Sequence, residues 1–469
     1  MIGRHLVTVL IAQLGIFALC PAIAAARKPN VILMMADDLG YQDLGCYGHP
    51  SIRTPVLDRL ASGGIRLTDF HSGATVCTPS RMALLTGAYP TRVGWTRGVC
   101  GHLMGMHDGM SPEVLTIAEI FKSEGYTTAI SGKWHLGDQP GTLPNQQGFD
   151  STYYLSHSNN QSTKIWRANE IVEDPFDNRI LTERFTAEAI RFIREQKDKP
   201  FFLYLPYTAP HFPVQPHPEW KGRSKFGDYG DVIEELDSRI GELLATLKEL
   251  AIDRDTIVIF TSDNGPNPKE EASSLPFRGE KWSALEGGTR VPCIVVWPGV
   301  IPAGQVSDSL ISAMDLLPSL CHASGIDWQA KTQGKPKIDG LDVWDTLLGK
   351  ANGHPRRELL YWHGMSPEPQ AFRSGDSKLF FDRSHAFQGA GTNRATTGQL
   401  SKIASVREGL TPGANPPILF NLQLDPGETT DQGVAFPDHL KALRVRAESL
   451  IAELKADPIL PLSTAAKKK

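Results

Sequence analysis

Residues 30–38, Asn30-Val31-Ile32-Leu33-Met34-Met35-Ala36-Asp37-Asp38, form an apolar run that stops at two adjacent carboxylates. So short a run, without polar alternation, reads as a strand buried on both faces, as in a parallel sheet covered on both sides. Similar runs occupy Thr127 to Ser131, Phe201 to Tyr207, Thr256 to Thr261 and Val291 to Trp297. Helical patterns separate them. The clearest puts Val232, Ile233, Leu236, Ile240, Leu243, Leu244, Leu247 and Leu250 on one face, with Glu234, Glu235, Asp237 and Glu242 elsewhere. Strands alternating with helices predict an α/β fold with a large, mostly parallel sheet covered by helices. The composition shifts after about residue 330. Lys331 to Lys337 is polar and Gly389 to Thr397 is loop-like, while Ser377 to Phe381 and Pro417 to Phe420 read as short strands. An amphipathic helix over Pro437 to Lys455 completes a smaller C-terminal α+β subdomain, an antiparallel sheet plus a helix. The division expected is residues 27–335 and 336–469.

The chain has 469 residues, 41% hydrophobic and 21% charged, enough to bury a large core and to exclude wholesale disorder. Its 48 Lys+Arg against 52 Asp+Glu leave no basic surplus for nucleic acid, and Lys467-Lys468-Lys469 is only a solvated tail. Arg4 and His5, the apolar Leu6 to Leu19 and the small residues 22–26 read as a signal peptide over residues 1–26. Its apolar part is short for a membrane span, and an uncleaved anchor is the alternative. An exported protein, periplasmic or secreted and without a stable membrane span, is expected. Cys46, Cys77, Cys100, Cys293 and Cys321 then remain, an odd and scattered set that forms neither a disulfide framework nor a zinc pattern and suggests one cysteine set aside for another use.

In an open parallel sheet, ligands gather beyond the carboxyl ends of the strands. There the sequence places Asp37-Asp38, Lys133-Trp134-His135, Thr208-Ala209-Pro210-His211 and Asp263-Asn264-Gly265, one set after each of four runs. Asp37, Asp38, Asp263 and Asn264 would supply hard oxygen ligands, which suit Ca²⁺ or Mg²⁺ better than zinc. Taken alone, Asp37-Asp38 reads equally as a solvated turn, and His211 as a structural loop histidine. Lys133 and His135 would share a side in an extended segment.

Cys77-Thr78-Pro79-Ser80-Arg81-Met82-Ala83-Leu84-Leu85-Thr86-Gly87 is the most informative segment. Thr78 is expected to cap a helix that starts at Pro79 and ends at Gly87. Cys77 would then lie just outside a helix N-terminus, with Arg81 one turn in, a setting for an activated thiolate.

Cys77-Thr78-Pro79-Ser80-Arg81 with Leu85-Thr86-Gly87 resembles the signature of the type I sulfatases, whose cysteine is oxidised to Cα-formylglycine. The resemblance runs, in order, through Asp37 to Gly40, Gly132 to His135, Ala209-Pro210-His211, Ser262 to Gly265, Lys281 within Gly279 to Pro292, Arg373 to Asp376 and Leu424 to Thr429. Leu143 to Phe149 is similar to the arylsulfatase A and N-acetylgalactosamine-6-sulfatase branch. The resemblance implies an alkaline-phosphatase-like fold, a Ca²⁺ held by Asp37, Asp38, Asp263, Asn264 and modified residue 77, and a formylglycine-generating maturation enzyme as partner. It further implies that a hydroxyl of the hydrated aldehyde attacks sulfur beside Arg81, with Asp263 the candidate base. Lys133, Lys281 and calcium would neutralise the sulfuryl oxygens, His211, with Lys281, would serve the departing oxygen, and His135 would deprotonate the second hydroxyl to expel sulfate. Ser158 matches, more loosely, a serine near the sulfate pocket.

The resemblance makes a sulfated saccharide the expected substrate, with aryl sulfates as surrogates. A phosphodiester or phosphonate hydrolase of the same superfamily is the rival; those relatives tend to carry His where this chain has Asn264. An unmodified Cys77 would instead leave a non-catalytic carbohydrate-binding protein. Arg92, Trp95, Arg97, His102 and His107 form either a saccharide-binding wall or a structural loop. The sequence says nothing of the oligomeric state.

Overall fold

A computed structural model describes residues 28–95, 98–101, 109–350, 356–364, 366–387 and 415–456. The signal segment, Arg97, His102, His107, the Gly389–Thr397 stretch and the lysine tail lie outside the described residues. Among those described, no helix is long and apolar enough to cross a membrane.

Ten strands make the main sheet: β1 Asn30–Ala36, β2 Ile65–Leu67, β4 Thr127–Lys133, β5 Ser151–Leu155, β6 Ile165–Arg167, β7 Glu170–Glu173, β8 Phe201–Pro206, β9 Thr256–Ser262, β10 Cys293–Val296 and β11 Gln305–Ser307. Their order is β11-β2-β10-β9-β1-β8-β4-β5-β6-β7. The central five, β9-β1-β8-β4-β5, are parallel throughout. β1 shows why the apolar run is unbroken: Val31, Leu33 and Met35 enter the core on one face of the sheet, and Ile32, Met34 and Ala36 the core on the other. The run at Val291 to Trp297 does form a strand, but β10 is antiparallel to β9, because the chain returns along the sheet before the small flanking strands. β3 Phe70–His71 and β12 Ile311–Ser312 form a separate parallel pair.

Helix α1 Pro55–Ser62 packs with α4 Leu181–Gln196 and α5 Gly227–Glu249 on one face, while α2 Cys77–Thr86 and α3 Ile117–Ser123 cover the other. Glu234, Glu235 and Asp237 of α5 are buried, contrary to a simple polar-face reading. Each meets a polar partner. Asp237 accepts the free amides of Val56 and Leu57 at the start of α1, Glu234 takes Arg53, and Glu235 accepts the His217 amide. The smaller sheet, β13 Glu358–Tyr361, β14 Ala371–Ser374, β15 Ser377–Phe380 and β16 Ile418–Asn421, is antiparallel and packs against the Pro437–Ala456 helix through Phe372, Leu379, Leu443 and Ala447.

Candidate active site

Four strand ends and one helix start meet at the carboxyl edge of the sheet. Asp37-Asp38 follow β1, Lys133 ends β4, His211 follows β8 and Asp263-Asn264 follow β9. Cys77 is the first residue of α2 rather than the residue before it, because Val76, in extended conformation, holds the cap position. Thr78 does not cap the helix. Its hydroxyl donates to the His135 carbonyl at 2.9 Å and accepts the Cys100 amide at 2.9 Å, tying three segments of the site together. Gly87 ends the helix in a left-handed conformation, φ 66°, as the sequence predicts.

The charges alternate. Lys133 Nζ donates to Asp37 Oδ2 at 2.6 Å, and Arg81 donates through Nε and Nη2 to Asp263 Oδ2 at 3.1 and 2.7 Å. Lys281 Nζ donates to both oxygens of Asp38 at 2.7 Å. The Cys77 thiol lies among them, 3.4 Å from Asp37 Oδ1, 4.0 Å from Asp38 Oδ1 and 3.4 Å from Lys281 Nζ. Asp38 has φ 64°, and its backbone amide donates to Asp263 Oδ1 at 3.1 Å, so the backbone of the second aspartate is tied to the carboxylate of the third.

Burial raises the Asp37 carboxyl, but Lys133, His211, Arg81 and Lys281 outweigh it and hold the group well below the usual range. Burial and the charge of Asp37 push Asp263 up to about 6, against the pull of Arg81. Burial pushes the Cys77 thiol up; Lys133 and Lys281 oppose this, and Asp37 and Asp263 reinforce it. Desolvation thus works against the activated thiolate that the helix start and the two lysines would favour.

His135 departs from the extended reading. It has φ 61°, so its ring turns away from the strand direction, and Nε2 lies 2.7 Å from the Cys100 carbonyl. A carbonyl only accepts, so the proton sits on Nε2 and the lone pair on Nδ1, which is buried without a partner. Burial, with the charges of Lys133 and His157, holds this imidazole well below its usual pKa. His211 Nδ1 lies 2.7 Å from the Phe212 carbonyl, leaving Nε2 3.6 Å from Asp38 Oδ2; burial holds the group at about 4. Ser158 Oγ is 3.3 Å from the same ring, so the loosely matched serine joins the site. Arg92 and Trp95 do not. Arg92 is buried in an ion pair with Asp339, Trp95 donates to the Gly98 carbonyl from the core, and both read as structure.

Sequence reasoning missed Asn267, whose amide reaches Asp38 Oδ2 at 3.5 Å, and Cys100, whose carbonyl sets the His135 tautomer. It also missed Trp282, which packs beside Val76, Cys77 and Val99. None carries a spacing signal: Cys100 acts through its backbone carbonyl, Trp282 through loop packing, and Asn267 through a side chain on a loop with no periodic pattern.

The donor set fits a hard divalent cation. Asn264 Oδ1 is buried without a hydrogen-bond partner while its Nδ2 donates to Asp38 Oδ1 at 2.7 Å, an orphaned oxygen beside three carboxylates. Asp37, Asp38, Cys77 and His211 present ligand atoms within 4.8 Å of one another.

The mixed, mostly parallel sheet, with acidic residues, two lysines and a buried cysteine at its carboxyl edge, has the architecture of hydrolases of the alkaline-phosphatase-like fold. The sulfatase family model matches residues 29–326. The chain is 36% identical to human arylsulfatase A, covering 94% of this chain and 91% of the human protein. It is 37% identical to rat N-acetylgalactosamine-6-sulfatase, covering 77% and 72%. Among solved structures, the PsFucS1 sulfatase from Pseudoalteromonas sp. matches with a TM-score of 0.81 at 28% identity, covering 93% of this chain and 92% of that one. The chain belongs to the sulfatase family and is a sulfuric ester hydrolase.

Proposed function

We propose that the chain removes sulfate from a sulfated carbohydrate, using residue 77 matured to Cα-formylglycine and a calcium ion held by Asp37, Asp38, Asp263, Asn264 and residue 77. One observation carries the reading: the Cys77 side chain sits within 3.4 Å of both Asp37 and the Lys281 ammonium, so nucleophile position, acidic cluster and a fixed cation coincide in one buried place. The rat relative is named for the 6-sulfate of an amino sugar, which supports a sulfated sugar as substrate class.

Calcium, when bound, would supply positive charge for the sulfuryl oxygens and lower the pKa of an adjacent hydroxyl. Hydrated formylglycine would supply two hydroxyls on one carbon, so that release needs no second attack at sulfur. The chain's own residues do the rest. Arg81 fixes Asp263 through two hydrogen bonds, keeping a carboxylate beside residue 77. Lys133 and Lys281 approach the cluster from two sides and would share charge with the sulfuryl oxygens, placed before the reaction starts. His211 and Ser158 stand by Asp38, where the ester oxygen would depart. Lys281, held protonated by its carboxylates against burial, is the standing proton carrier there, whereas His211 is neutral until substrate charge reaches it. His135 offers a lone pair on Nδ1 as the base for the second hydroxyl.

A panel of sulfated oligosaccharides with sulfate at defined positions tests this. Release from one regioisomer well above the rest is expected. Equal rates on every regioisomer would contradict a shaped sugar site, and faster cleavage of a phosphonate or phosphodiester would contradict sulfate as the natural leaving group.

A further inference from the structure

Two segments of the family pattern, Arg373 to Asp376 and Leu424 to Thr429, have no part in the chemistry above, yet both lie where the four-stranded sheet meets the loop that carries Lys281. Lys378 of β15 is fully buried. Its Nζ donates to Glu286 Oε1 at 2.9 Å and lies 3.0 Å from Glu428 Oε1. Glu428 Oε2 accepts the Glu286 amide at 2.7 Å. At the other end of the loop, Arg278 Nε donates to the Gly427 carbonyl at 3.1 Å, and its Nη2 donates to the Glu428 carbonyl. The Arg278–Glu286 loop is thus gripped at both ends by the Glu428 segment, and Lys281 lies within it.

The same grip reaches the acidic cluster. The Gly287 amide donates to the Arg278 carbonyl at 2.8 Å and closes the loop; the Gly265 amide donates to Gly288 at 3.0 Å, and the Lys281 amide to Pro266 at 2.9 Å. A Cβ on Gly265 would come within 1.9 Å of the Gly287 carbonyl oxygen, so the Asp263-Asn264-Gly265 turn rests directly on this loop. The grouped Asp69, His71 and Glu286 side chains make no metal site of their own. Arg373 and Lys378 already face them, Arg373 at 2.6 Å from Asp69 and Lys378 at 2.9 Å from Glu286.

We propose that Lys378 and Glu428 are positioning residues for Lys281, so that the small C-terminal sheet sets the rate of turnover while adding no group to the acidic cluster. The inference rests on the reading of Lys281 as a sulfuryl-contacting group. Buried packing of opposite charges holds a loop in one arrangement, and displacement of a reacting group by ~1 Å can cost ~10²-fold in rate.

The test compares wild type with Lys378→Met, Lys378→Arg and Glu428→Gln in the full-length, matured, calcium-loaded enzyme. Lys378→Met is expected to lower kcat about 10- to 100-fold with KM moving by less than roughly threefold. Amide hydrogen exchange should quicken across residues 279–290 while residues 31–35 of β1 stay unchanged. Lys378→Arg, which keeps the charge, should recover most of the lost kcat. In a Lys281→Ala background, Lys378→Met should add little further loss. Unchanged exchange at 279–290, or losses from Lys378→Met and Lys281→Ala that multiply independently, would overturn the proposal. Should Lys378→Met not fold, Glu428→Gln carries the same comparisons, since it keeps the volume and an acceptor for the Glu286 amide. A wild type that releases no sulfate would count against the proposed function alone, because the exchange comparison still decides whether the clamp holds the loop.

Discussion

Lys281 Nζ lies 2.7 Å from both carboxylate oxygens of Asp38 and 3.4 Å from Cys77 Sγ, so a single buried ammonium joins the acidic cluster to the nucleophile position. Burial alone would lower the lysine's pKa. Asp38, Cys77, Asp37 and Asp263 outweigh it and keep the group protonated throughout the working range. Lys281→Ala should therefore do two things at once. It should reduce kcat/KM by ~10²–10³-fold, as the loss of a placed charge-stabilising group does. It should also destabilise the calcium-free protein by about 3–5 kcal/mol, because Asp38 is left buried and unpaired. Initial rates and urea denaturation measure the two; wild-type values for both would contradict the assigned role.

His135 has its proton fixed on Nε2 by the Cys100 carbonyl, which leaves Nδ1 as a base. With His135→Ala, the first departure of alcohol should stay fast and later turnovers should slow. Rapid-quench measurement should show a burst of one alcohol per active site, followed by a steady rate at least ~10²-fold below wild type. A uniform slowing without a burst would assign His135 to the first step instead.

Calcium should stabilise the protein through the same acidic groups. At a free concentration about a hundred times its dissociation constant, the gain should be about 2.7 kcal/mol, visible as a rise in Tm that chelation reverses. Asn264→Ala, which removes the orphaned oxygen, should weaken calcium binding in isothermal titration. A Tm indifferent to calcium and chelator, or tighter binding of a transition metal, would turn the assignment toward His211 and phosphorus chemistry.

Asp237 provides a pH signature remote from the metal ligands. Burial pushes it up to about 6, against the pull of the Leu57 and Val56 amides. Its folded pKa exceeds the unfolded value of ~3.9, so its contribution to stability is fully present below pH ~4 and is lost as the pH rises through about 6. Between pH 4 and 7.5, wild type should lose on the order of 2 kcal/mol more stability than Asp237→Asn, which has no such titration. Denaturation curves across that range measure the difference, and parallel pH profiles would contradict it.

Much of this architecture is legible in the chain because burial leaves a pattern. β1, buried on both faces, has to be apolar without interruption, and its first polar residues, Asp37-Asp38, therefore mark the edge where ligands gather. The site is legible for the same reason: four strand ends each deliver a charged or metal-capable group. What the chain hides is three-dimensional reciprocity. Thr78 looks like a cap but serves the His135 carbonyl, because Val76 already occupies the cap position. Glu234, Glu235 and Asp237 look solvated on a helical wheel, yet backbone amides and Arg53 approaching from other segments make their burial tolerable. Strands of two to four residues, such as β2, β3 and β6, are too short to show a period at all.

The proposed chemistry stands or falls on residue 77 becoming an aldehyde. Mass spectrometry of the peptide containing it, from protein made in its native host, decides the matter. A side chain in which one oxygen replaces sulfur and two hydrogens, reactive toward a hydrazide probe, is the result predicted. An intact Cys77 thiol in protein that still turns over sulfate esters would contradict it.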